Sequence, residues 1–390
     1  MPRFNPLVET LAAPPIPHVF AWGDAYDGRN GPMIDLSQAV PGYPPHPDML
    51  RLLGEYAASR AYTGYGPIEG EESLRKAYAA HLSEAYALPL AAGNVHVTAG
   101  CNQAFICAAM AIAGAGDAVL MTDPYYFNQE TTLAMLGVKT RFAGCDSANG
   151  FLPDVVTIAA AITPDVRALA LVSPNNPTGA VYPPALLAEI YDLCVACGIW
   201  LILDETYRDF LPVGAGRPHD LFGRAGWENT LISLYSFSKS FCIPGHRLGA
   251  ITAGADVVEQ VAKIMDNLQI CPPRSAQAAV ATALPLLADW REGNRLEIAR
   301  RVEALLSTMA GAPAWKVGAV GAYFAFIGHP FAGVPSARVA EKLAKEAGIL
   351  CLPGSYFGAG QEGYLRFAFA NADSQTIALL RDRLNRFAID

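Results

Sequence analysis

The sequence predicts an α/β fold: a large domain with a mostly parallel seven-stranded sheet between helices, plus a smaller α+β domain. Three observations carry this reading. Seven short apolar runs between residues 94 and 253 alternate with helical stretches, and strands apolar throughout, separated by helices, form parallel sheets covered on both faces. After about residue 285 the pattern changes to a long helix followed by short strands and helices. The 390 residues, 52% hydrophobic and 16% charged, suffice for two domains with large cores and exclude a disordered chain.

The elements follow in order. Residues 1–47 are proline-rich and read as irregular. Asp48–Arg60 and Glu71–Tyr86 have helical spacing. The strands Asn94–Thr98, Ala118–Met121, Val138–Phe142 and Arg167–Val172 are each followed by a helix, at Asn102–Ala113, Asn128–Leu136, Val155–Ala161 and Pro184–Cys197. Trp200–Asp204, Thr230–Tyr235 and Leu248–Ala253 complete the sheet. Beyond it, Ala288–Met309 is a helix, with Trp290, Leu296, Val302, Leu305, Leu306 and Met309 available for one face. Gly321–Ile327, Leu350–Leu352 and Tyr364–Ala370 are strands, and Ser336–Ala347 and Ser374–Phe387 are helices. The expected division is a large domain at 48–285 and a small one made of 1–47 with 286–390.

A net charge of −8 argues against binding nucleic acid or anionic membranes through a broad basic surface. Eight cysteines without even spacing are no disulfide framework. Cys194 and Cys197 form a C-x-x-C but lie in a helix without a second pair or a metal-spaced histidine, so no metal site is expected. No charged and apolar leader pattern opens the sequence, and no run is long enough to span a bilayer. These features predict a cytoplasmic protein. Gly358-Ala-Gly-Gln-Glu-Gly363 matches G-x-G-x-x-G but precedes a strand, so it reads as a turn. His96, inside an apolar strand, reads as structural.

Chemistry gathers at strand ends. Of seven lysines, Lys239 alone stands among hydroxyls, in Ser-Phe-Ser-Lys-Ser at 236–240, directly after an apolar strand. That is where a nucleophilic amine would be placed, although alone it reads equally as a surface lysine capping the strand. Asp204 ends Trp200–Asp204, where a carboxylate is costly to bury without a cation. A pyridinium nitrogen would be such a partner. Asn176 follows Ala168–Val172, and Gly100, Cys101 and Asn102 lie between a strand and a helix whose free amides suit an anion. Arg247 opens a further strand.

Five motifs then give a resemblance: Asn-Asn-Pro-Thr-Gly at 175–179, Asp-Glu-x-Tyr at 204–207, Ser-x-Ser-Lys at 236–239, Pro-Gly-x-Arg-x-Gly at 244–249 and Arg-Phe-Ala-Phe-Ala at 366–370. From about residue 34 onward the chain resembles the class I/II aminotransferases, fold-type I enzymes that use pyridoxal 5'-phosphate. The resemblance implies that Lys239 binds the cofactor covalently and moves the proton at the substrate Cα. It implies that Asp204 faces the ring nitrogen and that Asn176 and Tyr207 hydrogen-bond the ring hydroxyl. Gly100, Cys101, Asn102, Ser236 and Arg247 would hold the phosphate, and Tyr126 would stack on the ring. Tyr65 would reach the phosphate of a neighbouring subunit, implying a homodimer with shared sites. Arg366 would grip the substrate α-carboxylate, near Asn176.

There are departures. Ala39 stands where glycine is usual and would touch the carboxylate region, and His246 stands where an aromatic residue is common. Arg274 is the candidate reader of a distal carboxylate, against a surface or interface role. The implied reaction moves an amino group from an L-amino acid to a 2-oxo acid by a ping-pong mechanism. The alternatives on the same fold are a C–S lyase, an amino-acid cyclase, or a non-catalytic cofactor-binding regulator.

Overall fold

The computed structural model describes residues 2–389. Near the N-terminus β1 (Ile34–Asp35) is a two-residue strand. The large sheet is built from β2 (Val95–Thr98), β3 (Ala118–Asp123), β4 (Lys139–Gly144), β5 (Val166–Val172), β6 (Trp200–Asp204), β7 (Leu231–Ser236) and β8 (Gly249–Thr252). Their order is β2-β8-β7-β6-β5-β3-β4. Only β8 runs antiparallel to its neighbours. Among the described residues, no helix is long and apolar enough to cross a membrane.

Strand alternation splits the core in two. On β6, Leu201 and Leu203 join a cluster with Leu82, Tyr86 and Val280, whereas Ile202 joins Phe105, Ile232 and Met265 on the opposite face. Both faces are therefore covered, and each fully buried aliphatic side chain contributes about 1.5–3 kcal/mol. Asp204 inherits the Ile202 face.

A second sheet is made of β9 (Lys316–Gly321), β10 (Phe324–Gly328), β12 (Leu352–Pro353) and β13 (Tyr364–Phe367), with order β12-β13-β10-β9 and all pairs antiparallel. Between them β11 (Ile349–Leu350) pairs in parallel with β1, tying the N-terminal segment to the C-terminal part.

Several expectations need correction. The run Leu350–Leu352 is not one strand: it divides at Cys351 between two sheets. Gly321–Ile327 is the closed end of the β9–β10 hairpin, turned at Ala322 with φ 44°. Residues 1–47 are not irregular throughout, because Pro6–Glu9 and Pro15–Asp24 are helices. Proline suits the first helical turn, where its missing N–H has no partner anyway, and Val19 and Trp22 pack one turn apart. Ala255–Leu268 and Arg274–Leu286 are further helices, unassigned from sequence. The buried face of Ala288–Ala310 is Ile298, Arg301, Leu305, Thr308 and Met309, while Leu296 and Leu306 are exposed. Cys194 is buried and Cys197 exposed on their helix. Gly358–Gly363 leads into β13, not a helix.

Candidate active site

The carboxyl ends of β2, β5, β6 and β7 converge on one edge of the large sheet. Because β8 is antiparallel, its start lies there too: Gly249 pairs with Thr98 of β2 and with Ser236 of β7. That register brings Arg247 beside Gly100. Gly100 has φ 89°, and a methyl group there would collide with the Arg247 guanidinium. A methyl on Gly249 would lie 2.8 Å from the Cys101 amide nitrogen. Two glycines thus let an arginine and the first turn of helix Cys101–Ile112 close on one point. The leading amides of that helix have no intrahelical acceptor and carry its positive dipole end.

This edge encloses a cavity of about 180 Å³ lined by Cys101, Asn102, Tyr126, Asn176, Asp204, Tyr207, Ser236, Lys239 and Arg247. Thr206, Ser238, Val172 and Pro244 complete the wall. A second cavity of about 800 Å³ shares Tyr126, Asn176, Tyr207, Lys239 and Pro244 with it and adds Ala39 and Arg366. Of the residues to which the sequence gave a cofactor or substrate role, these cavities gather all but Gly100, which sits beside Arg247, and Tyr65 and Arg274. Tyr65 is 80% exposed and lines neither cavity. Arg274 is engaged elsewhere: Nε donates to Glu71 Oε1 at 2.5 Å and Nη1 donates to the Ala61 and Gly64 carbonyls at 3.1 Å. Arg274 thus lies outside both cavities of this chain. His246 is exposed.

Lys239 sits in the single turn Phe237–Ser240, capped by the Ser236 hydroxyl accepting from the Ser238 amide at 3.3 Å. Its Nζ donates to the Ala39 carbonyl, so Ala39 meets the lysine through its backbone. Burial, then the nearby Arg366 and Arg247 charges, lower the Lys239 pKa to about 8. An amine so poised is nucleophilic and basic near neutral pH.

Asp204 is buried. Oδ2 accepts from Gln129 Nε2 at 2.9 Å and Oδ1 accepts from the Thr206 amide at 3.0 Å. Burial raises its pKa, against hydrogen bonds from Thr206 and Cys101. Both donors at those distances are neutral, so the carboxylate faces the cavity without a cation of its own.

Arg366, on β13, is buried between Phe324 and Phe357, with its guanidinium 5.0 and 4.9 Å from the ring centroids. Nη1 donates to Asn176 Oδ1 at 3.1 Å and Nη2 donates to the Ser37 carbonyl. Nε is buried without a partner. Burial lowers its pKa to about 10. The Tyr126 hydroxyl accepts from Asn128 Nδ2 at 2.7 Å, and burial pushes it up to about 12. Asn175 builds the turn that presents Asn176: its Oδ1 accepts from the Thr178 amide at 3.1 Å and hydroxyl at 2.8 Å.

Sequence reasoning missed Gln129, Thr206 and Ser238. Gln129 lies three residues after Tyr126, in the first turn of the helix Phe127–Met135 that Tyr126 caps, and its nearness to Tyr126 was the available signal. The Ser238 hydroxyl is buried, lines the inner cavity and has no hydrogen-bond partner.

The class of protein follows from fold and site. The profile of aminotransferase class I and II matches residues 31–384, and the chain belongs to that family. It is 30% identical over 360 residues to an aspartate/prephenate aminotransferase of Thermus thermophilus, covering 91% of each chain. It is 29% identical over 368 residues to the aromatic aminotransferase ISS1 of Arabidopsis thaliana, covering 90% of this chain and 89% of that one. The solved aspartate aminotransferase of Thermus thermophilus with maleate superimposes with a TM-score of 0.89 at 26% identity, over 99% of this chain and 100% of that one. The enzyme is an aminotransferase, exchanging an amino group between amino acids and oxo acids.

Proposed function

We propose that the enzyme holds pyridoxal 5'-phosphate in the inner cavity and passes an amino group from an L-amino acid to a 2-oxo acid in two successive half-reactions. One observation carries this: Lys239 and the cation-free carboxylate of Asp204 line a single cavity beside an anion cradle. The residues fit the group. Arg247, the leading amides of helix Cys101–Ile112, Ser236 and the unpartnered Ser238 hydroxyl suit the phosphate. Asp204 suits a protonated pyridine nitrogen, Asn176 and Tyr207 the ring hydroxyl, and Tyr126 the ring face.

When bound, this cofactor supplies an electron sink for negative charge at the substrate Cα. The chain's residues do the rest. Arg366 receives the α-carboxylate as a planar fork, exchanging its contacts with Asn176 and the Ser37 carbonyl for the stronger charged pair. That fixes Cα near Lys239, whose Nζ would take the Cα proton and hold it for return on the far side of the amino nitrogen. Asp204, Gln129 and Thr206 keep a negative charge opposite Lys239. Ala39 lends a carbonyl that holds Nζ in line.

We read the chain as two units, 48–285 and 1–47 with 286–390, with the reaction between them. We also infer a homodimer in which the exposed Tyr65 serves the partner's phosphate. Eight free cysteines suit a reducing compartment, and we place the enzyme in the cytoplasm.

The test is a single-substrate spectrum. With amino acid alone, the visible band of the lysine-bound cofactor should disappear as the amine form of the cofactor accumulates. Release of pyruvate or ammonia instead would mark a lyase, and an unchanging spectrum a regulator; either overturns the proposal.

A further inference from the structure

The outer cavity, about 800 Å³, is far larger than an α-amino and α-carboxyl group need. Its floor holds Lys239 and Arg366, and its walls reach Ile16 and His18 in the N-terminal segment. Apart from Lys239 and Arg366, the one lining residue of fixed charge is Glu130. Glu130 is half-buried, and among the described residues no ion pair or hydrogen bond meets its carboxylate. Burial raises its pKa with no opposing cation or donor. A partly buried carboxylate without a partner is unfavourable until a cation arrives.

Its place at the start of a helix puts it beside the passage between the cavities. Glu130 lies in the first turn of Phe127–Met135, four residues beyond Tyr126, which is the N-cap of that helix. Tyr126 lines both cavities, and Glu130 only the outer one. A group leaving the inner site past Tyr126 enters the outer cavity, whose wall carries Glu130. Tyr125, Phe127 and Tyr356 line the way with aromatic surface, which packs a methylene stem and attracts a cation. Among the charged residues lining this cavity, none besides Lys239 and Arg366 is a cation that could meet a distal carboxylate, and Arg274 is held by Glu71 outside it.

We propose that Glu130 reads a cationic group at the far end of the amino donor, so that long basic L-amino acids are preferred over neutral and acidic ones. This rests on the aminotransferase reading of the inner cavity.

The experiment compares kcat/KM for L-lysine, L-norleucine and L-glutamate in the wild type, Glu130→Gln and Glu130→Lys. Norleucine matches the lysine stem without its charge. The wild type should favour lysine over norleucine by about tenfold or more, the effect of one charge-assisted hydrogen bond. Glu130→Gln should bring that ratio close to unity, and Glu130→Lys should shift preference toward glutamate. Binding supplies a readout free of turnover. By calorimetry, hexanoate bearing a terminal amine should bind the wild-type holoenzyme more tightly than hexanoate, and the two should bind Glu130→Gln alike. A wild-type ratio near unity, or a lysine preference that survives Glu130→Gln, overturns the inference while leaving the aminotransferase reading intact. If no donor of any class is converted, that reading falls and the inference with it.

Discussion

Asp204 and Glu205 are adjacent carboxylates, both buried, with opposite electrostatics. Asp204 ends β6 on the face toward the cavity. Glu205 turns to the other face, where the Tyr86 hydroxyl donates to it at 2.5 Å and the Ser233 hydroxyl at 2.6 Å, with His219 Nε2 at 3.3 Å. Burial alone would raise the Glu205 pKa, but His219, then Arg208 and Ser233, outweigh it and hold it at about 2. Arg208 lies stacked 4.1 Å from the Tyr235 ring centroid and donates to the Tyr78 hydroxyl at 2.8 Å. The lesson is that burial decides nothing by itself. The core-facing carboxylate has a cation, Arg208, built in near it, and the cavity-facing one does not, which marks it as a ligand's partner.

Substitutions can break this comparison. The largest effect is expected at Lys239, whose change to alanine should abolish transamination and the visible band of the bound cofactor while leaving the fold intact. Wild-type turnover in that variant would remove the catalytic assignment.

Next comes Asp204→Asn, for which we expect a loss of roughly a thousandfold or more in rate, about 4 kcal/mol in the barrier. The apo protein should unfold no more easily, because a carboxylate lacking a cation is replaced by a neutral amide. A rate within a few-fold of wild type would separate Asp204 from the ring nitrogen.

Glu205→Gln should behave in the reverse sense. Removing one partner of a buried ionic cluster costs about 3–5 kcal/mol of stability, to be read from denaturant unfolding. Since the native state holds Glu205 ionised, with its pKa lowered from 4.5 to about 2, its contribution is fully present above pH 4.5. That contribution is lost as pH falls toward 2, and the variant should lack this part of the acid slope. Equal acid slopes in both proteins would show that the network does not act through Glu205.

Tyr65→Phe is the smallest expected effect, about 1.5–3 kcal/mol in cofactor retention for one hydrogen bond to a charged group. A mixed dimer of a Tyr65→Phe chain with a Lys239→Ala chain sharpens it. The Lys239-bearing site should recover normal retention, because its tyrosine comes from the partner. If that site binds cofactor no better than in the Tyr65→Phe homodimer, Tyr65 does not act across the interface.

Much of this was legible in the sequence, because strands and turns are local facts. Apolar runs such as Leu231–Tyr235 alternate with helices over short spans, and Asn175 to Gly179 carries its own turn chemistry. The succession of strands and helices between residues 94 and 253, the α/β class and the polar groups at strand ends therefore follow from the sequence by itself. The tertiary structure decided what meets what. The antiparallel course of β8 puts Arg247 beside Gly100. The division at Cys351 sends neighbouring residues into different sheets. Gln129 is turned onto Asp204, 75 positions away. Arg366 reaches Asn176 across 190 positions and Lys239 reaches Ala39 across 200. Periodicity carries no record of such distant pairings. They arise only when two sheets and an N-terminal segment are packed together, and that packing leaves Glu130 facing open space while Arg274 is taken by Glu71.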